Sequence, residues 1–254
     1  MEKKALQELL ETIDGLLDDG QPEAAEKVAR EALKVSPAEW SLWMALGQAL
    51  SERGRFRAAA KAFLHAVSSE DGHQACTLTS WAQCEVECGD VLAAQDLVEA
   101  ALRCDPDYPH ASFVRAFLYE FADRDDAAEF WYWRAARLDP NSFFKPLRLP
   151  AEGFDHAVES AIGRLPEQYQ ELLPLFRLRA RTLPPLSPRR RKCTALAPGE
   201  TRPSRPGERD PSKPVIYLYQ RNFERMCKSR EELESEVMLF LEEELAKASA
   251  VVEE

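Results

Sequence analysis

Apolar residues follow helical spacing through the segment from Trp40 to Asp71. Trp43, Leu46 and Leu50 recur at three- and four-residue steps, which places them on one face of a helix. Gly54 interrupts this pattern, and a second apolar stripe then begins. Its members are Phe56, Ala59, Phe63 and Ala66. The pattern predicts two helices joined by a turn at Gly54.

Two small residues are expected to set the distance between these helices. Gly47 lies in the first apolar stripe and Ala59 in the second, so the two backbones can approach closely. Trp43 and Phe63 are expected to fill the space beside them. The segment therefore predicts one tightly packed helical hairpin.

The same pattern recurs before and after this hairpin. Units that begin near residues 6, 40, 75 and 109 are spaced by 34, 35 and 34 residues. Trp43, Leu46 and Gly47 match the start of the tetratricopeptide repeat signature, and the resemblance extends over about residues 6–140. It implies a solenoid of about four helical hairpins. The first unit is degenerate in its leading helix and is interpreted as the N-terminal cap.

The resemblance also implies a concave groove, lined by the first helix of each unit, that takes extended or helical peptides. The positions that face this groove in the family fall on Ser41, Met44, Gln48, Thr79, Gln83, Val86, His110, Phe113 and Phe117. An alternative is that several of these side chains pack between helices. The Asn and Lys set that clamps a peptide carboxylate in some relatives is absent, which disfavours a receptor for chaperone tails.

Charge limits the classes of partner. The chain has a formal net charge of −11, and residues 1–150 hold 16 Lys/Arg against 26 Asp/Glu. An acidic array argues against nucleic-acid binding by the repeats, because a phosphate backbone needs a basic surface. No apolar run has the length of a membrane span, and the first twenty residues do not resemble a signal peptide. We therefore expect no membrane contact and a cytoplasmic protein.

The cysteines give no support to a metal or cofactor site. None of the six forms a Cys-x-x-Cys pair. Cys84 and Cys88 are four residues apart on a predicted helix, and we interpret them as small buried thiols rather than ligands. No metal and no cofactor are predicted.

Four consecutive aromatic residues stand in the last helix of the predicted array, and they are Phe130, Trp131, Tyr132 and Trp133. Consecutive residues cover every face of a helix, whereas a terminal helix should turn a polar face outward. The run is interpreted as a docking surface for the domain that follows. The alternative is a crowded core with an exposed Trp.

The pattern changes after Pro140. Residues 141–153 are predicted as a connector, and a helix is expected from Phe154 to Leu165. Strands are predicted at 176–183 and 214–219, with a short helix from Gln220 to Cys227. Ser229 and Glu232 form a capping box that opens a final helix running to about Ala250. Residues 185–214 hold seven prolines and are predicted to be a flexible loop.

This order of elements resembles a small bacterial family of zincin-like metallopeptidases over about residues 152–247. The matching features are Leu165-Pro166 at the end of a helix, the strand Pro214-Val-Ile-Tyr-Leu-Tyr, and Glu236-Val237 before the last helix. The resemblance implies a small α+β domain from 154 to 254. In the family, the last helix carries the zinc motif His-Glu-x-x-His.

The zinc motif is missing here. Counting from Glu236-Val237, its first ligand position is Glu243, its general-base position is Glu244, and its second ligand position is Lys247. One carboxylate and a cation cannot supply three zinc ligands. These residues are therefore vestigial positions, and the domain is predicted to be an inactive metallopeptidase-like domain. The alternative is a residual or altered metal-dependent peptidase that uses Glu243 and Glu244.

The proline-rich segment is also basic, since residues 177–213 hold eleven Lys/Arg against three Asp/Glu. Residues 187–213 are the only candidate for nucleic-acid contact, and the segment lacks the interleaved aromatic residues typical of such sites. We interpret it as a solvated tether.

Together these patterns predict a mostly α-helical chain: a repeat array at 1–140, a connector at 141–153 and a degenerate zincin-like domain at 154–254. The predicted function is a non-catalytic scaffold that binds a protein or peptide partner through the repeats.

Overall fold

The computed structural model describes residues 3–69, 71–72, 74–185, 195–203 and 212–252. The chain divides into two compact units, of which the first reaches Phe143 and the second begins at Phe144. The fold is mostly helical and carries one small sheet, as the sequence predicted.

The described part of the first unit contains eight helices. They are α1 (Lys3–Asp18), α2 (Pro22–Val35), α3 (Trp40–Glu52), α4 (Phe56–Val67), α5 (Ala75–Cys88), α6 (Val91–Cys104), α7 (Pro109–Phe121) and α8 (Asp125–Leu138). Gly20, Gly54 and Gly89 end three of the odd-numbered helices with positive φ angles of 67°, 67° and 83°. Glycine adopts this left-handed conformation without steric cost, which explains its place in the turns. Asp123, with a φ of 54°, takes the same role in the fourth turn.

The helices pack in order along the chain. Each odd-numbered helix packs on the even-numbered helix that follows it, and α1, α3, α5 and α7 also contact one another in sequence. The odd-numbered helices therefore form a continuous layer. Equivalent positions of the four units are all fully buried, and they are Ala25, Ala59, Ala94 and Ala128. Their spacing of 34, 35 and 34 residues confirms the predicted repeat register.

Gly47 and Phe63 confirm the predicted close approach within the second hairpin. A Cβ atom added to Gly47 would lie 2.6 Å from the Phe63 ring, which is far inside van der Waals contact. Phe63 is itself buried. The ring of α4 therefore lies directly on the backbone of α3, and only glycine leaves room for it.

A buried carboxylate joins the first two hairpins. Glu26 of α2 accepts hydrogen bonds from Arg30 Nε at 2.9 Å, from Arg55 Nη1 at 2.9 Å and from Arg53 Nη1. Burial acts to raise the pKa of Glu26, but the hydrogen bonds from Arg53 and Arg30 outweigh it and the pKa is lowered. The carboxylate is thus held in its charged form against the turn between α3 and α4.

The second unit combines four helices with a three-stranded sheet in its described part. Its elements are α9 (Ala151–Gly163), α10 (Glu167–Leu172), a 3₁₀ segment (Leu173–Leu175), β1 (Arg177–Arg181), β2 (Gly199–Arg202), β3 (Val215–Tyr219), α11 (Gln220–Met226) and α12 (Arg230–Val252). The strand order is β1-β3-β2, in which β1 runs parallel and β2 antiparallel to β3.

The core of the second unit lies between one sheet face and the helices. Ile216 and Leu218 of β3 point toward this core, which also holds Phe154 of α9 and Leu241 of α12. Helices α9 and α12 contact each other. Glu232 N–H donates to Ser229 Oγ at 3.2 Å, so the predicted cap opens α12.

The structure confirms the strand predicted at 214–219 and corrects two predicted boundaries. Helix α9 begins at Ala151 rather than Phe154, because Pro150 occupies its N-cap and the helix starts directly after it. The predicted flexible loop at 185–214 contains strand β2, so that prediction is wrong for 199–202.

Strand β2 forms because β3 supplies a partner, although its sequence Gly-Glu-Thr-Arg has weak strand propensity. A Cβ atom at Gly199 would lie 2.3 Å from the Tyr217 carbonyl oxygen, so the strand can approach only at glycine. Asn222 Nδ2 donates to the carbonyls of Ala195 and Ala197 at 3.0 and 2.6 Å, which fixes the chain before the strand. Residues 186–194 and 204–211, with most of the basic segment, lie outside the described residues.

Candidate functional site

A cavity of about 370 Å³ opens between α3, α4 and α5 of the first unit. Amides, hydroxyls, carboxylates, a thiol and two aromatic rings line it. These residues are Gln48, Ser51, Glu52, Phe56, Phe63, Ser80, Gln83, Cys84 and Glu87. Because α3 and α5 are neighbours in the layer of odd-numbered helices, the cavity lies on the surface where the sequence predicted a groove.

The two glutamines give this cavity its hydrogen-bonding capacity. Gln48 and Gln83 occupy equivalent positions of successive units, 35 residues apart. Within the described part of the chain, neither side-chain amide makes a hydrogen bond. A glutamine amide both donates and accepts, so it can pair with a peptide group of another chain. Phe56 and Phe63 supply an apolar floor beneath them.

Burial keeps the one thiol in the cavity protonated near neutral pH. Cys84 is buried, and its Sγ lies 3.2 Å from Ser51 Oγ. Burial raises the pKa of Cys84 to about 12, and burial also raises the pKa of Cys88. A thiol that stays protonated is neither a nucleophile nor a metal ligand. Among the described residues, no group of three or more His, Cys, Asp or Glu side chains is placed to hold a metal ion.

Four predicted groove residues retain partial exposure in α3 and α5, and they are Ser41, Met44, Gln48 and Gln83. Gln48 and Gln83 line the cavity. Met44 lies closer to the interface between units, because Thr77 Oγ1 donates to its sulfur at 3.7 Å. Ser41, also half-buried, donates to Glu39 Oε1 at 2.9 Å.

Thr79, Val86 and Phe117 are fully buried, so the groove prediction is wrong for them. The Thr79 hydroxyl donates to the Ala75 carbonyl of its own helix at 2.7 Å. Phe117 packs edge-on against Phe113, with ring centroids 6.2 Å apart. For these three residues the alternative interpretation, packing between helices, is correct.

The chain itself covers the predicted groove residues of the fourth unit. The Phe143 ring lies 5.2 Å from that of Phe113 and 6.0 Å from that of His110. Burial lowers the pKa of His110, so the imidazole is neutral near pH 7. The accessible part of the groove therefore lies at α3 and α5. Sequence reasoning missed Phe143, although it stands 34 residues after Pro109, where a fifth unit would begin.

The aromatic run in α8 separates into residues with different surroundings. Tyr132 is 0% exposed, and its hydroxyl donates to Glu120 Oε2 at 2.9 Å, so it cannot take part in docking. The Arg115 guanidinium lies 4.6 Å from the Trp131 ring. Phe130 and Trp133 are 52% and 49% exposed. A docking role for Phe130, Trp131 and Trp133 stays a prediction.

The vestigial motif positions on α12 form a compact ion cluster. Lys247 Nζ lies 3.0 Å from Glu243 Oε1 and 2.9 Å from Glu244 Oε1. Hydrogen bonds to Glu244 and then Glu243 raise the pKa of Lys247, so the ammonium stays charged. A zinc ion needs neutral imidazole, thiolate or carboxylate donors around an open site. This donor set, with a cation between the two carboxylates, does not fit zinc.

Comparison with known proteins bears on the first unit. Residues 10–73 match the family model of the tetratricopeptide repeat. This match spans the first two helical hairpins of the first unit. Among curated proteins, no sequence matches the chain significantly. No helix among the described residues is long and apolar enough to cross a membrane.

Solved structures show a similar fold at low sequence identity. The pilF protein of Pseudomonas aeruginosa is 19% identical with a TM-score of 0.50, covering 66% of this chain and 71% of its own. The O-GlcNAc transferase of Thermobaculum terrenum is 19% identical with a TM-score of 0.50, covering 64% and 35%. A tetratricopeptide repeat protein from Parabacteroides merdae is 20% identical with a TM-score of 0.45, covering 66% and 62%. The zincin-like resemblance of the second unit stays a prediction.

Proposed function

We propose that this chain is a non-catalytic scaffold whose tetratricopeptide groove binds a peptide segment of a protein partner. The observation that carries this proposal is the cavity between α3 and α5, which presents Gln48 and Gln83 above an aromatic floor. Tetratricopeptide arrays bind protein partners on such surfaces. The one thiol in the cavity, Cys84, is buried with a raised pKa and is therefore a poor nucleophile.

The spacing of the two amides suits an extended chain. Packed helices lie about 8–10 Å apart, and an extended peptide rises about 3.3 Å per residue. One glutamine from each helix would therefore meet peptide groups about three residues apart. Backbone pairing of this kind is independent of peptide sequence, so the remaining lining residues would set specificity.

Selection of binding peptides from a random displayed library on the full chain tests this proposal. We expect selected peptides to lose about tenfold in affinity when Gln48→Ala and Gln83→Ala are combined. The double variant removes two uncharged hydrogen-bonding groups, each of which contributes modestly to binding. Gln95→Ala on α6 is the matched control and should change nothing, since Gln95 lies outside the cavity. Peptides that bind the double variant as well as the parent would place binding elsewhere and contradict the proposal.

We further propose that the second unit is an inactive domain of the zincin-like type. Its order of elements supports this: α9 ends before Leu165-Pro166, β3 carries Val215-Ile-Tyr-Leu-Tyr, and α12 follows. The ion cluster on α12 supports the loss of activity, because the Lys247 ammonium pairs with both Glu243 and Glu244 where a metal ion would have to bind. The same cluster disfavours the alternative of an altered metal-dependent peptidase that uses these two carboxylates.

Zinc content separates these two possibilities. The full chain, equilibrated with zinc and then desalted, is expected to retain well under one zinc ion per chain in elemental analysis. The combined Glu243→His and Lys247→His variant restores two ligands one helical turn apart and should bind zinc more tightly than the parent. Stoichiometric zinc in the parent, or a peptidase activity lost in Glu244→Ala, would instead support the enzyme.

A further inference from the structure

We infer that the groove at α3 and α5 takes a basic partner segment, an extended peptide with Lys or Arg at about every third residue. This inference rests on the proposed function, because it assigns the chemistry of the ligand for the same groove.

Carboxylates recur at one repeat position along the layer of odd-numbered helices. Asp18 ends α1, Glu52 ends α3, and Glu87 lies in the last turn of α5. They are spaced by 34 and 35 residues, so they occupy equivalent positions of three successive units. Because α1 contacts α3 and α3 contacts α5, these positions follow one another along the layer. Glu52 and Glu87 also line the cavity.

A second row lies one helical turn earlier and contains Asp14, Gln48 and Gln83 at equivalent positions. The groove thus offers two amides, Gln48 and Gln83, that can pair with a peptide backbone and an acidic row beside them. Such a pair of rows matches a chain that carries cationic side chains along one edge. The aromatic floor of Phe56 and Phe63 suits the aliphatic stems of Lys and Arg.

Two of the three carboxylates in the acidic row have no countercharge of their own in the described part of the chain. Neither Asp18 nor Glu52 forms an ion pair with any described residue. Burial raises the pKa of Asp14, and the neighbouring charges of Asp18 and Glu11 raise it further. Arg57 donates a hydrogen bond to the Cys88 thiol, and Arg53 and Arg55, which follow Glu52, pair with Glu26 instead. The surrounding segment is acidic too, with 26 Asp/Glu against 16 Lys/Arg in residues 1–150.

Helix spacing sets the expected ligand pattern. Neighbouring helices of the layer lie about 8–10 Å apart, a distance that an extended chain crosses in about three residues. A peptide with Lys at positions one, four and seven would therefore bring one ammonium to each of three carboxylates. If the three lysines were consecutive in the peptide, only one of the three carboxylates would lie close to an ammonium group.

Three labelled peptides of seven residues test this inference by fluorescence anisotropy with the full chain. The first is Lys-Ser-Thr-Lys-Ser-Thr-Lys, the second has the same composition with its three lysines consecutive, and the third replaces each Lys with Glu. We expect the spaced Lys peptide to bind at least tenfold more tightly than the Glu peptide and about threefold more tightly than the consecutive one. Its affinity should fall as salt is raised, since exposed charges are screened.

Two double variants, each of which removes two negative charges, test whether the charges in the cavity are the ones that bind the peptide. Glu52→Gln with Glu87→Gln should weaken binding of the spaced Lys peptide about fivefold to tenfold, since each exposed ion pair contributes a small factor. Asp71→Asn with Asp96→Asn, at exposed positions outside the cavity, should leave it unchanged. Glu52→Lys with Glu87→Lys should reverse the preference toward the Glu peptide.

Equal binding of the Lys and Glu peptides, equal loss in both neutralised variants, or no binding of any of the three would overturn the basic-peptide inference. The groove itself is judged separately by the Gln48→Ala and Gln83→Ala variant. If selected peptides of another composition depend on the two glutamines, the proposed function stands and only the charge assignment fails. If the binding of no peptide depends on the two glutamines or on Glu52 and Glu87, the proposed function and the basic-peptide inference are both overturned.

Discussion

Replacing Glu224 with Ala is expected to lower the free energy of unfolding of the second unit by about 3–5 kcal/mol, the usual effect of removing one partner of a buried charged pair. The Glu224 side chain is 0% exposed. It accepts hydrogen bonds from Arg221 Nη1 at 3.1 Å and from Arg148 Nη1 at 3.3 Å. Without the carboxylate, the partly buried guanidinium groups of Arg148 and Arg221 would lose their shared countercharge.

The same carboxylate also fixes the segment before α9. Glu224 Oε1 accepts from the Leu149 backbone N–H at 2.9 Å, and the Glu224 carbonyl accepts from Leu147 N–H at 3.1 Å. Gln220 Nε2 adds a bond to the Leu149 carbonyl at 2.8 Å. These contacts hold residues 147–149 against α11. Loss of the Glu224 carboxylate should therefore also loosen the start of α9.

Hydrogen–deuterium exchange of peptides from 144–185 and 212–247 measures this effect within the second unit. All five Trp residues lie in the first unit, so tryptophan fluorescence reports that unit separately. Glu224→Gln keeps the volume and one acceptor and should cost less than Glu224→Ala. Glu159→Ala, at an exposed site on α9, is the control and should stay within about 0.5 kcal/mol of the parent. Unchanged protection from hydrogen–deuterium exchange in Glu224→Ala would show that the buried ion pairs make no net contribution to the free energy of unfolding.

The repeat array could be predicted because its signals are local and recur. Ala25, Ala59, Ala94 and Ala128 mark the same buried position in each unit, and a turn residue with positive φ precedes each of them at a fixed offset. Four copies of one pattern make the register unambiguous. Strand β2 could not be predicted in this way, because it forms by pairing with β3, which lies more than ten residues away in sequence.

The candidate site could be predicted where the residue at the groove-facing repeat position is polar. Gln48, Gln83 and Phe117 occupy equivalent positions, but the first two are polar and line the cavity while Phe117 is buried. A large apolar side chain at that position packs inward, so the repeat register alone gives the wrong result for it. Phe143 was missed for a different reason: the segment after Pro140 lacks helical periodicity, and its return onto α7 depends on tertiary contact.

Replacing Gly47 with Ala is expected to destabilise the first unit by about 1–2 kcal/mol, although Ala is the better helix former by about 1 kcal/mol. The added methyl group would lie 2.6 Å from the buried Phe63 ring, and overpacking of this kind typically costs about 1–3 kcal/mol. Gly15→Ala in α1 is the matched control, since nothing lies within 4 Å of its added methyl group. It should instead stabilise the unit by about 0.5–1 kcal/mol. Urea denaturation followed by tryptophan fluorescence compares the two.

The same substitution should reach the groove, because Phe63 forms part of its floor. A ring pushed away from α3 would enter the cavity, so peptides selected on the parent should bind Gly47→Ala more weakly. Phe63→Leu removes the clashing edge of the ring, and in that background the cost of Gly47→Ala should shrink by about 1 kcal/mol or more. If Gly47→Ala is as harmless as Gly15→Ala, and costs the same with Leu at position 63, then the close approach of α3 and α4 is not what shapes the groove.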